Sequence, residues 1–337
     1  MVTIDQVDRR IVDALNVNPR ASWTLVGSVL NMDPVTAARR WNRLRSTGQA
    51  WVAAYPGSSA AGSLAGAFVE VICEPGAGGR VADLLAEDPR VLNVMQTAGG
   101  RDVLVTVATT GRGELTRYLD SAFDGTPGIR STRSAIITRI MQEGSRWRGG
   151  SLSATQQDAL RSTVPTTDIE LPLESIDYRL LTVLAEDGRM SIDDLAKRCE
   201  SSVSTVRRRL PQLLSSGAIR LRPDLARGLS DYPFVAEYFI QTPSQTLDEV
   251  YHHICQLPAV RTCFAVMGAF NIIVGAWMKT QQEVHDFEVS LAHETLPIRI
   301  VDRSPVLRFA KHVGRILDDD GNAVRYVPMQ YRLPMPS

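Results

Sequence analysis

Apolar positions recur along this chain with two different periods. Val7, Ile11 and Leu15 fall at i, i+4 and i+8, as do Ile176, Leu180 and Leu184, and each set predicts one apolar stripe on a helix. A turn follows, Asn18-Pro19-Arg20 in the first place and Asp187-Gly188-Arg189 in the second, and Ser22 or Ser191 can then cap a second short helix. A third helix is predicted behind Asp33 or Ser202 as cap, with Pro34 suited to its first turn. It reads PVTAARRWNRLRSTG in one place and VSTVRRRLPQLLSSG in the other, and Gly48 or Gly217 stops it. Downstream, strand-like runs take over. The pattern predicts strand at 64–73, helix at 81–85, strands at 91–97 and 103–108 around Gly99-Gly100-Arg101-Asp102, helix at 115–123 and strand at 129–140. The same order returns at 234–240, 247–255, 260–266, 272–277, 285–291 and 298–309. Strand, helix, strand, strand, helix, strand is the ferredoxin-like plan. Its helices cover one sheet face only, so two such domains are expected to pack sheet to sheet.

The two halves are copies. At an offset of 169 residues, Asp8, Arg10, Leu15, Arg20, Ser22, Thr36, Arg39, Arg40 and Gly48 recur as Asp177, Arg179, Leu184, Arg189, Ser191, Thr205, Arg208, Arg209 and Gly217. The same offset relates Pro89 to Pro258, Gly99 to Gly268 and Val105 to Val274. After one inserted residue, Pro127, Arg133 and Ser134 meet Pro297, Arg303 and Ser304. The joint between copies lies near 148–170, rich in Ser, Thr and Gly with Pro165 nearby and Pro172 just beyond; it can hold a short helix at 154–161 and otherwise reads as linker. A second joint divides each copy, at 56–62 and at 228–233.

The third helix carries the candidate chemistry. Ala37, Trp41 and Leu44 can face a core, as can Val206, Leu210 and Leu213. That leaves Thr36, Arg39, Arg40 and Arg43 outside in copy one, and Ser204, Thr205, Arg207, Arg208 and Arg209 outside in copy two. A short helix, a turn and a helix with an exposed arginine face form the helix-turn-helix pattern, in which arginines pair with guanine edges or hold phosphates. A run of arginines alone is usually a solvated face, but this one recurs behind matching caps and before matching glycines. Pro211 interrupts the second arginine helix, and a kinked or shortened helix with weaker DNA contact is expected there.

Composition narrows the class. The chain has 337 residues, 37 basic and 37 acidic, with zero formal net charge, so any DNA contact rests on a local patch. At 44% hydrophobic and 22% charged it is globular, and no apolar run reaches membrane-spanning length. Asp5 and Asp8 stand where a signal peptide would be apolar, and Cys73, Cys199, Cys255 and Cys263 form no CxxC pair, so reduced thiols and a cytoplasmic location are expected. Gly76-Ala77-Gly78-Gly79 lacks the rest of a dinucleotide fingerprint and reads as a flexible turn. His252, His253, Cys255 and Cys263 have imperfect metal spacing and no counterparts in copy one. No nucleophile motif such as GxSxG is present. No metal, no cofactor and no enzymatic activity are expected.

The assembled pattern resembles the Lrp/AsnC family, the feast/famine transcription regulators, as a tandem fusion of two family units. The matching stretches are IDQVDRRIVDAL and LESIDYRLLTVL, RAS and RMS before the second helix, RLRSTG and QLLSSG at the end of the third, DPRVLNVMQTAGGRDVLVTV, LPAVRTCFAVMGAFNIIVGA and TPGIRSTRSAIITR. The resemblance implies an α+β chain with two winged, three-helix helix-turn-helix domains (1–55 and 171–228) and two ferredoxin-like βαββαβ effector and dimerisation domains (63–147 and 232–316). A linker at 148–170 and a C-terminal tail at 317–337 complete it. It also implies double-stranded DNA as partner, a small effector, commonly an amino acid, and a homo-oligomer, here a dimer of tandem chains. Family effectors sit near the glycine turn, which maps onto Thr97, Gly99, Gly100, Arg101 and Asp102, and onto Val266, Gly268, Phe270 and Asn271. Copy one has Arg101 where an aromatic usually precedes the Asp. Copy two has Asn271 in place of the Asp and Ala269 in place of the second Gly. An effector held there is expected to shift the spacing of the two DNA-reading helices. Two rivals share the plan. One is an enzyme like the siroheme decarboxylases, against which 53–73 holds no histidine and GAFNIIVGAW matches poorly. The other is a sensing module that has lost DNA binding.

Overall fold

The computed structural model describes residues 4–57, 65–144, 151–161, 173–292 and 296–329. Residues 58–62 of the first joint, most of 148–170 with Pro165, Pro172 just after it, and 330–337 of the tail lie outside these described residues. Copy one runs α1 (Gln6–Val17), α2 (Trp23–Leu30), α3 (Pro34–Ser46), β1 (Ala50–Pro56), β2 (Ala65–Cys73), α4 (Gly78–Ala86), β3 (Val91–Thr97), β4 (Val103–Thr109), α5 (Arg112–Ser121) and β5 (Ile129–Gln142). Helix α6 (Ala154–Arg161) follows. Copy two runs α7 (Ser175–Glu186), α8 (Ile192–Arg198), α9 (Val203–Ser215), β6 (Ile219–Leu225), β7 (Phe234–Gln241), α10 (Leu247–Gln256), β8 (Val260–Met267), β9 (Ile272–Met278), α11 (Gln281–Leu291) and β10 (Arg299–His312). Strands β11 (Arg315–Leu317) and β12 (Ala323–Tyr326) follow.

These elements gather into two compact units that cut across the sequence order. One takes Met1–Leu64, Arg148–Leu229 and Asn322–Ser337, and the other Ala65–Trp147 and Ser230–Gly321.

The first unit holds both three-helix heads. Their helices start where the caps predict: Ser22 Oγ accepts from Leu25 N, Asp33 from Thr36 N, Ser191 from Asp194 N and Ser202 from Thr205 N. Gly48 and Gly217 end the third helices at φ of 68° and 71°, the left-handed conformation that glycine tolerates best. Helix α9 is 13 residues long, as α3 is, so the expected shortening at Pro211 does not occur. Pro211 lies on the exposed side, while Val206, Leu210 and Leu213 keep the buried side packed on either side of it. The segment read as linker carries α6, which docks on the first head. Leu160 is fully buried, and Gln156 Nε2 donates to Val29 O at 2.8 Å.

No strand is expected at 50–56 or 219–225 from the sequence pattern. Both are extended and pair with each other, antiparallel and without a register break, from Ala50 opposite Leu225 to Pro56 opposite Ile219. This ribbon ties the two heads together. Two arginines reinforce it in reciprocal fashion. Arg20 donates to Gly188 O and Met190 O at 2.7 and 2.9 Å, and Arg189 donates to Pro19 O and Ala21 O at 2.6 and 2.9 Å. Each arginine thus closes the turn of the other head.

The second unit is one closed sheet. The strand order β10-β3-β4-β2-β5-β8-β9-β7 returns to β10, so eight strands form a barrel. Sheet-to-sheet packing was the expectation; the sheets also join edge to edge, twice. The reason lies in the two 14-residue closing strands. The first half of β5 pairs with β2 of its own copy and the second half with β8 of the other. Strand β10 does the same with β7 and then β3. Closure leaves no unpaired edge among these eight strands. Outside the barrel, Val69, Val71, Val103 and Val105 pack under α4 and α5, and Tyr238, Ile240, Ile272 and Val274 under α10 and α11. The alternate positions point inward, where Phe68 and Phe264 meet edge to face with centroids 5.1 Å apart.

Candidate nucleic-acid interface and effector site

The third helices divide their arginines between two jobs. In copy one, Arg40 donates to Asp5 at 2.7 Å and to Asp8 at 3.0 Å, and Arg43 pairs with Asp8, which is fully buried. In copy two, Arg209 pairs with Asp177 and, at 3.2 Å, with Glu174. Asp8 and Asp177 also close capping boxes at the starts of α1 and α7. One carboxylate therefore starts the first helix of each head and holds the third helix against it. Arg209, expected outside, is buried at 4% exposure, and this corrects the sequence reading. The physical reason is that a buried carboxylate needs a cation, and Arg209 is the cation within reach. Arg39, Arg207 and Arg208 remain exposed, with Ser204; Thr36 and Thr205 are half-buried, and Arg43 is exposed despite its pairing. Arg45, which carries no distinguishing signal in the sequence, is exposed and bonds Asp187 of the other head at 2.6 Å.

The ribbon and clamp carry an electrostatic strain of their own. Burial pulls Arg20 below its ordinary value, and pulls Arg189 down to about 10 with help from the neighbouring Arg20 charge. Arg189 also lies 4.3 Å over the Trp23 ring. In the ribbon itself, Arg222 and Asp224 form a buried pair at 3.1 Å, and Tyr55 donates to Asp224.

The glycine hairpins lie in the second unit, and their predicted residues part ways. Gly99, Gly100 and Gly268 are exposed, whereas Thr97, Arg101, Val266 and Phe270 are buried. Asp102 accepts from Cys73 N at 2.7 Å, which pins the hairpin to the end of β2. At the equivalent place Asn271 accepts from Thr242 N and donates to Thr242 O, so Asn serves both backbone groups where Asp serves one. Arg101 points away from solvent: it donates to Glu70 at 2.7 Å and Asp302 at 2.8 Å, and it bonds Ser304. Its guanidinium lies 3.7 Å over the Phe239 ring, while Phe270 meets the same ring at 4.8 Å. Copy one thus has the ion pair Glu70–Arg101 where copy two has the aromatic pair Phe239–Phe270, and Arg101 joins the two. Glu237 sits in this interior as well. Burial pushes its carboxyl up to about 8, against the pull of Arg101.

Beside the first hairpin is an open groove of about 730 Å³ lined by Gly79, Arg80, Asp83, Gln96 and Arg308 among others, with Arg308 tied to Asp83 at 2.6 Å. The Gly76–Gly79 stretch forms the turn into α4, with Gly76 at φ 78°. His252 bonds Gln256 and His253 bonds Ser290 O. Among the described residues no group of His, Cys, Asp and Glu is placed to hold a metal, and no helix is long and apolar enough to cross a membrane.

Comparison with known proteins decides the family. Residues 4–45 match the AsnC-type helix-turn-helix domain, 66–147 the Lrp/AsnC ligand binding domain and 173–220 a winged helix-turn-helix DNA-binding domain. An uncharacterized HTH-type transcriptional regulator of Pyrococcus horikoshii is 31% identical over 126 residues, which is 37% of this chain and 79% of that one. The chain belongs to the Lrp/AsnC family. A second relative, the HTH-type transcriptional regulator FL11 of the same organism, is 27% identical over 42% of this chain and 94% of its own. Each relative matches less than half of the chain, as expected when an Lrp/AsnC unit has been duplicated. The siroheme decarboxylase NirDL, solved with an iron-uroporphyrin III analogue, superposes over 92% of this chain and 93% of its own with a TM-score of 0.58 and 13% identity. That likeness is one of fold, and it extends to the tandem arrangement.

Proposed function

We propose that this chain is a DNA-binding transcription regulator whose sequence-specific binding is modulated by a small effector, an amino acid being the favoured class. The observation that carries the reading is the pair of heads fastened into one unit by the ribbon and the reciprocal arginines, each with a free arginine, Arg39 or Arg208, on its third helix. These two, with Arg207, Arg43, Thr36, Ser204 and Thr205, make the DNA surface, and Arg40 and Arg209 support it from behind. Chains associate further as dimers. Because the ribbon sets the spacing of the heads within a chain, an effector bound by Gly99, Gly100 and Asp102, and by Gly268 and Asn271, acts on that association rather than on head spacing. Arg39→Ala combined with Arg208→Ala is expected to weaken binding to the chain's own upstream duplex and to flatten the decline of affinity with salt. Fluorescence anisotropy across a salt series reads both, and unchanged binding refutes the assignment.

The fold likeness to NirDL supports an enzyme reading of the same barrel. That reading requires tetrapyrrole binding. We expect no Soret shift when iron-uroporphyrin is titrated into the purified chain, and a saturable shift would favour the enzyme.

A further inference from the structure

The two third helices agree in what they bury and differ in what they display. Opposite the buried Ala37, Trp41 and Leu44, the 100° spacing of a helix places Val35, Arg39, Asn42 and Ser46 in one outward line. On α9 the same line holds Ser204, Arg208, Pro211 and Ser215. The arginine and the last serine are shared. The other two positions are not.

Val35 is 74% exposed, an isopropyl group held in water at the first turn of its helix. The cap at Asp33 fixes that turn, and packing of the head uses the other face. The first turn of such a helix is the part that meets base edges in a major groove. There an apolar side chain meets the 5-methyl of thymine, and two turns further along the same line Asn42 carries the amide that fits the N6 and N7 edge of adenine. At the equivalent positions copy two has neither: Ser204 pairs with any base, and Pro211 has no donor to offer, while its first-turn Val203 stands one position earlier and is about half as exposed as Val35. It has instead a second exposed arginine, Arg207, where copy one has Ala38.

We propose that this chain reads an asymmetric operator, in which the half-site under α3 carries A·T pairs contacted by Val35 and Asn42, and the half-site under α9 lacks that requirement and is held by Arg207 and Arg208. The proposal rests on the DNA-binding reading above. Its physical basis is that both heads belong to one chain and are bound to each other through the ribbon. A dimer of identical single-head subunits reads a palindrome through its two equal heads; here no symmetry exchanges the two heads of one chain, so each chain brings an unlike pair, and a dimer of chains reads that pair twice in inverted order.

Selection from a randomised duplex library with the full chain tests this. The wild-type chain is expected to select a motif with two unlike halves, one of them containing the A·T pairs. Replacing thymine by uracil, which lacks the methyl, lowers affinity about fourfold in that half and leaves it unchanged in the other. Val35→Ser removes the sensitivity to uracil while the motif's other half is retained. Ser204→Val combined with Arg207→Ala and Pro211→Asn, which also removes a helix proline, selects a motif with two matching halves. A wild-type motif with equal halves, a motif covering one half only, or indifference to uracil overturns the asymmetry and leaves DNA binding standing. A library from which no sequence is enriched and no salt-dependent binding is seen overturns the DNA-binding reading itself.

Discussion

Arg208 and Arg209 are neighbours in sequence with opposite duties. Arg209 is buried against Asp177, and removing it leaves a buried carboxylate without its cation, at a cost of about 3–5 kcal/mol. Arg209→Ala is therefore expected to lower the melting temperature strongly, whereas Arg208→Ala leaves it within about a degree and acts on DNA affinity alone. Differential scanning calorimetry beside the anisotropy assay separates the two, and equal melting temperatures would refute the division of labour. Glu237 makes a second residue-scale prediction. Its ordinary value is 4.5 and its folded value about 8, so the folded protein holds a proton that the unfolded chain has released. Stability is fully present below about 4.5 and is lost as pH rises through about 8, by a few kcal/mol in order of magnitude. Glu237→Gln should flatten urea midpoints between these limits and raise them above pH 8. A wild-type midpoint that does not fall across this window would contradict the buried, neutral carboxyl.

At the scale of elements, the ribbon is the new feature. Its strands, AWVAAYP and IRLRPDL, are not legible in the sequence because each pairs only with the other, from Ala50 opposite Leu225 to Pro56 opposite Ile219, and a single two-stranded ribbon has no local alternation strong enough to stand out. The turn of the second head is fitted to it. Gly188 N donates to Val52 O at 2.8 Å, and a Cβ at Gly188 would lie 2.6 Å from Val52 Cγ1. Gly188→Ala is thus expected to push ribbon and turn apart. Hydrogen exchange should show faster exchange in both β1 and β6, with the amides of α3 unchanged. Faster exchange in β6 alone would mean that the two heads are not clamped through this turn. The helices, by contrast, were legible in sequence because caps, stripes and glycine stops are all local signals.

At the scale of the molecule, closing the barrel makes the two copies one folding unit. Leu104 lies on the inner side of β4 in copy one and is fully buried, so Leu104→Ala costs about 2–5 kcal/mol. If the eight strands open together, hydrogen exchange in β9 of copy two accelerates by as much as in β4. Protection of β9 that stays at its wild-type level would show that the halves open separately. The ion pair Glu70–Arg101 and the aromatic pair Phe239–Phe270 meet inside this barrel, an asymmetry that identical subunits could not contain.

What the sequence determined alone was everything written in local or repeated signals: the helix starts and stops, the βαββαβ order, the duplication, and the family. These depend on residues within a few turns of one another or on direct comparison of one half with the other. Tertiary structure alone decided which arginines are free. Arg39, Arg40, Arg208 and Arg209 look alike along the chain, and only the place of a buried aspartate on another helix separates the anchored arginines from the exposed ones. The barrel and the ribbon were decided there too, since hydrogen-bonded partners more than a hundred residues apart leave no periodic trace in either strand.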